Sequence, residues 1–220
     1  MVRALSRWRL FWVLALIISV IVVLGLPGEN LHSGRGLEHL ILRSVRCALP
    51  LFVVAFTASS LASLWPGPLT RWLLSNRRYI GLAFAFGMAW HFSFVGYSIL
   101  LFGNQLNARA TALDLTGFVF LLMMTLTSFR FGARHLTAAN WRRLHKTGVY
   151  VIWFLATYIY LGNVRGGGDT LHYAGLGVLL AAGLLRAAAW IRQKRPRRLA
   201  PRYACAGDEP TLGGSPRSSR

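Results

Sequence analysis

The sequence predicts an all-α, polytopic membrane protein built as a bundle of six transmembrane helices, and three observations lead to that prediction. The 220 residues are 55% apolar, with a mean hydropathy of +0.46, which is more hydrophobic than a soluble domain of this length. Six apolar runs follow one another, each near the length of about 20 residues that a helix needs to cross a bilayer. Most of the basic residues fall in the gaps between these runs.

The six spans are predicted from the positions of the apolar runs. The first run, 10–26, is consistent with a signal peptide or a first helix; its length and the lack of a small-x-small cleavage site favour the helix. The second span is predicted from about Arg43 to Trp65, with Pro50 in its first turns, where a missing N–H is tolerated. The remaining spans are predicted at about 79–102, 112–129, 148–161 and 171–191.

The distribution of charge predicts the orientation of the bundle. Of the 25 Lys and Arg residues, 20 lie in four segments that alternate with pairs of spans: 1–9, 66–78, 130–147 and 186–220. Because basic loops remain in the cytoplasm, both termini are predicted to be cytoplasmic. The cations fall in separate segments and form no single stripe, so the net charge of +19 does not indicate a nucleic-acid partner.

The chain is divided into a transmembrane domain, 1–192, and a basic cytoplasmic tail, 193–220. The tail is rich in Arg, Pro, Gly and Ser and has no apolar period, which predicts disorder. Only two cysteines occur, without a CxxC or CxxCH pattern, so cysteine chemistry is not expected. No GxGxxG or P-loop motif is present, so this chain is not expected to bind a nicotinamide or nucleotide cofactor.

Two histidines on predicted membrane helices are the candidate functional residues. His91 lies 13 residues after Arg78, about 20 Å into the membrane, whereas His145 lies at the cytoplasmic boundary. Buried ionisable groups in membrane helices usually face a bundle interior, a cavity or a cofactor. Imidazole on a membrane helix is the usual axial ligand of b-type haem. The difference in depth, about 15–20 Å, predicts that the two histidines do not share one iron.

The segments RRYIGLAFAFGMAWH and WRRLHKTGVYVIWFL, on the third and fifth predicted helices, resemble the ferric reductase-like transmembrane domain. That family includes NADPH oxidases, ferric reductases and the haem-bearing membrane subunit of the bacterial periplasmic methionine sulfoxide reductase system. The resemblance covers about residues 45–190. It implies a haem b electron-transfer module in a bacterial inner membrane. As an oxidoreductase subunit it would need a separate donor, a quinone or a flavoprotein, and a periplasmic or soluble acceptor.

The resemblance also implies which residues hold haem. His91 matches the outer ligand on the third helix, and His145 matches the inner ligand on the fifth. Tyr158 stands where the family has the outer histidine of the fifth helix, and the inner position of the third helix falls near Arg77. Haem iron is therefore expected on His91 first, alone or with the Tyr158 phenolate, and on His145 next. A spacing of 13 residues turns an ideal helix so that Tyr158 and His145 do not share a face.

Three arginines lie at the inner ends of the two histidine helices: Arg77, Arg78 and Arg142. Their positive charge suits contact with haem propionates or an anionic partner. Their alternative interpretation is ordinary positive-inside anchoring. The alternative function is a haem-free structural or accessory membrane protein on the same scaffold, in which His91 satisfies a buried polar neighbour. A transporter is favoured less, because intramembrane polar groups and broken helices are few.

Overall fold

The computed structural model of the protein describes residues 7–29, 31–102 and 108–194, and every regular element within these ranges is helical. There are seven α-helices and one short 3-10 turn at Leu26–Gly28. The bounds are α1 Trp8–Val23, α2 Gly34–Leu64, α3 Pro68–Phe102, α4 Ala108–Leu126, α5 Arg130–Ala133, α6 Ala138–Arg165 and α7 Thr170–Lys194. The predicted all-α class is confirmed; residues 195–220 of the predicted tail lie outside the described residues.

Four of the helices are long and apolar enough to cross a membrane: α2, α3, α6 and α7. The helix α1 and residues 112–126 of α4 are apolar but shorter. A multi-pass membrane protein is therefore supported, with four spans that meet the length and composition expected of a transmembrane helix. Four helices meet these criteria, whereas six spans were predicted.

The helices form an open ring. Helix α2 packs along α3 and also contacts α7; α1 lies against α3 and α2; α6 lies between α7 and α4. The ring is weakly closed, because α3 and α4 touch at few places. A gap is therefore left between the α2–α3 pair on one side and the α4–α6 pair on the other.

The basic segments come together at one end of the bundle, which we call the basic end. The backbone N–H of Arg7 donates to Asn76 at the start of α3 (2.8 Å), and Arg192 in the last turn of α7 donates to the carbonyl of Leu64 at the end of α2 (2.8 Å). Trp8 stacks on Phe129, which precedes α5. The basic segments that alternate with pairs of apolar runs in the sequence thus meet at one end of the folded chain.

The predicted position of Pro50 was wrong. Helix α2 begins at Gly34, where the Ser33 hydroxyl accepts the N–H of Gly36 and caps the helix, so Pro50 lies in the middle of the helix. A proline there removes one backbone hydrogen bond, a loss that membrane helices tolerate through contacts with neighbouring helices. Helix α6 is likewise longer than its predicted span, since it begins at Ala138, ten residues upstream, where Thr137 caps it.

The closest approach of three helices occurs at Gly87 of α3. A Cβ placed on Gly87 would lie 3.0 Å from the Cβ of Ala48 on α2 and 3.4 Å from Ile18 on α1. Around this point the core contains Phe52, Phe56 and Phe84 on one side and Val22, Leu40 and Phe94 on the other. Small residues permit this kind of close packing between membrane helices.

At the end opposite the basic end, Asp169 joins α2 to the start of α7. Its Oδ2 accepts from Arg46 of α2 (2.7 Å), and its Oδ1 accepts the backbone N–H of His172 (3.1 Å), as an N-cap does. Partial desolvation raises the pKa of Asp169, but the hydrogen bonds and positive charge of Arg46 and His172 outweigh it, so the pKa lies below its ordinary value.

We expect Gly87→Leu to destabilise the bundle by about 1–3 kcal/mol, because overpacking a filled contact forces neighbouring helices apart. The matched control is Gly96→Leu on the same helix, where an added Cβ meets nothing within 4 Å. Thermal unfolding in detergent, followed by circular dichroism, measures both. Equal midpoints for the two variants would contradict the packing described for Gly87.

We expect the Asp169 contacts to be lost in acid. A carboxyl group with a lowered folded pKa stabilises the fold above its ordinary pKa, about 3.9, and that contribution disappears as the pH falls through the folded value. The thermal midpoint of the wild type should therefore fall below about pH 4 more steeply than that of Asp169→Asn. Glu38→Gln, at an exposed position of α2, is the control and should follow the wild type.

Candidate functional site

A cavity of about 800 Å³ opens in the gap of the ring, at the basic end. Helices α2 and α3 line one side, and α4, α6 and the segment 127–133 line the other. Its inner wall is apolar and consists mainly of Phe52, Phe56, Leu82, Phe84, Leu121 and Ile152. The volume falls within the range of about 300–1,000 Å³ that small-molecule and cofactor sites occupy.

Six cationic side chains line this cavity, and no carboxylate is among its lining residues. They come from α3, α5, α6 and α7 and are Arg77, Arg78, Arg130, Arg142, Lys146 and Arg186. The like charges of Arg77 on α3 and Arg186 on α7 repel each other. Uncompensated cations beside an apolar wall favour a ligand with an acidic group on an apolar body.

His145 is the histidine that lines the cavity. Its Nε2 lies 3.1 Å from the hydroxyl of Thr127, which itself lies 2.7 Å from the carbonyl of Met123. Because the hydroxyl proton goes to that carbonyl, His145 donates through Nε2, and Nδ1 carries the free lone pair. The indole of Trp141, one turn earlier, lies against the imidazole with ring centroids 4.2 Å apart, which holds the orientation of the ring.

His91 lies beyond the cavity. It is seven residues past Phe84 on α3, about 10 Å farther from the basic end, and it is 6% exposed. Its Nδ1 lies 3.4 Å from the carbonyl of Ile41 on α2, and the adjacent Phe92 packs on Phe118 of α4 with ring centroids 4.9 Å apart. At this level, therefore, His91 faces α2, and an aromatic pair joins α3 to α4.

The remaining predicted site residues divide into two groups. Arg77, Arg78 and Arg142 line the same cavity as His145. Tyr158 does not: it is 55% exposed and stacks on Phe154 along the outer surface of α6. The helix geometry predicted this separation of Tyr158 from His145, since α6 is continuous between them. The structure thus brings together the inner set of predicted residues, whereas His91 and Tyr158 lie outside the cavity.

Several lining residues of the site were not predicted from the sequence, among them Thr127, Arg130 and Arg186. The clearest available signal was Arg186, an arginine inside the apolar run GLGVLLAAGLLRAAAW, because a charged residue within a membrane helix usually marks a site. Thr127 has no comparable signal, since a threonine at the end of an apolar run is common.

Comparison with protein-family models, with curated proteins and with solved structures finds no significant match to this chain. No group of three or more His, Cys, Asp or Glu side chains converges within 7–29, 31–102 and 108–194 to hold a bare metal ion.

We expect the cavity to admit water from the basic end. In a background in which Cys47 and Cys205 are replaced by Ser, Ser128→Cys in the cavity wall should react with a membrane-impermeant maleimide, since only a hydrated thiol forms the reactive thiolate. The matched control is Ser93→Cys on the lipid-facing side of α3. Both serines donate to a carbonyl one turn earlier, at 2.7 and 2.8 Å.

The reaction is followed by mass spectrometry of the labelled protein in sealed vesicles. Comparable labelling of the two positions, or no labelling at position 128 from either side, would contradict a cavity open to water at the basic end.

Proposed function

We propose that the protein is a membrane electron-transfer module that binds b-type haem in the basic-end cavity, with His145 as the axial ligand. One observation carries this proposal: an imidazole, an apolar chamber and six cationic side chains line the same cavity, and none of the six forms an ion pair with a carboxylate of the described residues. Haem needs each of these, since its iron takes a neutral nitrogen donor, its macrocycle is apolar and its two propionates are anionic.

The residues present fit such a group. His145 has a free lone pair on Nδ1 in the arrangement described; ligation through Nε2 would need its proton to move to Nδ1 and the Thr127 contact to be released. Arg77, Arg78 and Arg142 are placed to neutralise carboxylates, and the phenylalanine wall supplies apolar surface for the macrocycle. When bound, haem supplies one-electron redox chemistry, which the protein side chains do not provide.

We further propose a topology for the bundle and partners for electron transfer. Helices α1 and α4 complete six spans, and the basic end faces the cytoplasm of a bacterial inner membrane under the positive-inside rule. Helix α1 is about 24 Å long, a little short of a 30 Å hydrocarbon core. Electrons enter from a quinone or a separate flavoprotein and leave to a periplasmic or soluble acceptor, because this sequence has no nicotinamide-binding motif.

A second candidate is a haem-free structural or accessory protein on the same scaffold. It is favoured by His91, whose ring nitrogen already has a polar neighbour in the Ile41 carbonyl, and by the outward position of Tyr158. Because His91 and Tyr158 lie outside the cavity, the proposed haem site depends on His145.

We expect the full chain, purified from a haem-replete host, to show a Soret band and a reduced alpha band that are lost in His145→Ala. The matched control is His135→Ala, an exposed histidine at the same end that does not line the cavity, and it should keep the spectrum. A folded protein without haem absorption would contradict the haem proposal and favour the haem-free structural or accessory protein.

The same spectrum tests the ligand predicted first, His91. If His91→Ala loses the bands and His145→Ala keeps them, iron is held at the outer level, and the present assignment to the cavity is wrong. Circular dichroism of each variant separates loss of haem from loss of fold.

A further inference from the structure

We infer that Arg186, together with Arg77, forms an oxyanion-binding site inside the bundle, for the acidic group of an amphipathic ligand. The inference deepens the proposed function, since it names the group that would hold the acidic end of the ligand and uses the same cavity. The oxyanion-binding site does not require iron, so a measurement without haem tests it separately from the proposed function.

Arg186 is half-buried and binds α2 well before the ends of the two helices. It lies eight residues before the end of α7, about 12 Å from that end. Its Nη1 donates to the carbonyl of Phe56 (2.6 Å), which is likewise eight residues before the end of α2. Arg192, by contrast, donates to Leu64 at the end of α2. The two arginines of α7 thus bind the same helix at different levels.

The guanidinium of Arg186 is held on two sides. It lies 4.5 Å from the ring centroid of Phe56 and 4.8 Å from that of Tyr150, and its Nε donates to the Tyr150 hydroxyl (3.0 Å). Such cation–π contacts fix the plane of the group. Two of its five N–H donors are used by protein acceptors, so three remain for a ligand.

The second cation, Arg77, comes from α3 and lines the same cavity. Arg77 and Arg186 repel each other, and neither forms an ion pair with any carboxylate within the described ranges. Two guanidiniums that line one apolar cavity without a counterion cost free energy, and an anion bound between them would lower that cost. Guanidinium groups match the planar, two-oxygen geometry of carboxylate and phosphate groups.

The ligand class follows from the rest of the wall. Phe52, Phe56 and Phe84 line the cavity next to the two arginines, so an apolar body must accompany the acidic group. A porphyrin carboxylate and the phosphate of an anionic phospholipid share this chemistry, and basic pockets between membrane helices bind anionic lipid head groups. Both sources present an oxyanion to Arg77 and Arg186.

The test uses metal-free protoporphyrin IX, which carries the carboxylates of haem but cannot bind His145 through iron. Its fluorescence is titrated against the full chain in nanodiscs of zwitterionic lipid. We expect Arg186→Gln and Arg77→Gln each to weaken binding by about tenfold or more, the usual effect of losing a charge-assisted hydrogen bond. The protoporphyrin dimethyl ester, which lacks the charge, should not distinguish these variants from the wild type.

Two controls separate ligand binding from helix packing. Arg192→Gln removes a guanidinium that also binds a carbonyl of α2 but lies outside the cavity lining, so it should bind protoporphyrin as the wild type does. Tyr150→Phe keeps the charge of Arg186 and removes one of its hydrogen bonds, so its affinity should fall less than that of Arg186→Gln.

A second arm identifies the lipid source. If protoporphyrin does not bind, but nanodiscs containing phosphatidylglycerol raise the thermal midpoint of the wild type more than that of Arg186→Gln, the site takes a lipid phosphate. If neither ligand distinguishes Arg186→Gln from Arg192→Gln, the inference is overturned and Arg186 only joins α7 to α2. Arginine-dependent protoporphyrin binding in a protein that fails to bind haem would keep the oxyanion site and remove the electron-transfer function.

Discussion

The contact between α2 and α3 determines the form of the whole bundle. Gly87 lets α3 approach Ala48 of α2 and Ile18 of α1, and with this approach α1, α2 and α3 form one close-packed unit. Helices α6 and α7 attach to that unit mainly through the contacts of α7 with α2. The side of α3 that faces α4 is left largely uncovered, and the cavity occupies that gap. The contact between α2 and α3 therefore accounts both for the close packing of α1, α2 and α3 and for the cavity between α3 and α4.

Electrostatics gives the chamber its chemical character. In a membrane protein, cations at the cytoplasmic ends of helices are expected for topology alone, and Arg71 and Arg192 need no other explanation. Arg77 and Arg186 differ, because they line the cavity. His145 shares this surrounding, since it lines the same cavity.

Much of the fold followed from the sequence, because apolar runs and basic gaps report directly on the environment of each segment. The helix ends did not, since the caps at Ser33 and Thr137 and the interior position of Pro50 depend on polar residues outside the apolar runs. For the site, the separation of Tyr158 from His145 followed from helix geometry. The neighbours of His91 and Arg186 were not predictable, because they come from α2, which is distant in sequence from both residues.

The attachment of α4 differs from that of the other long helices. Helix α4 rests mainly on α6 and touches α3 at few places, while Asp169 joins α2 to α7 at the end opposite the basic end. A sideways displacement of α4 would therefore break few contacts with α3 and none within the close-packed unit of α1, α2 and α3. The boundary between α3 and α4 is thus the weakest contact in the ring of helices.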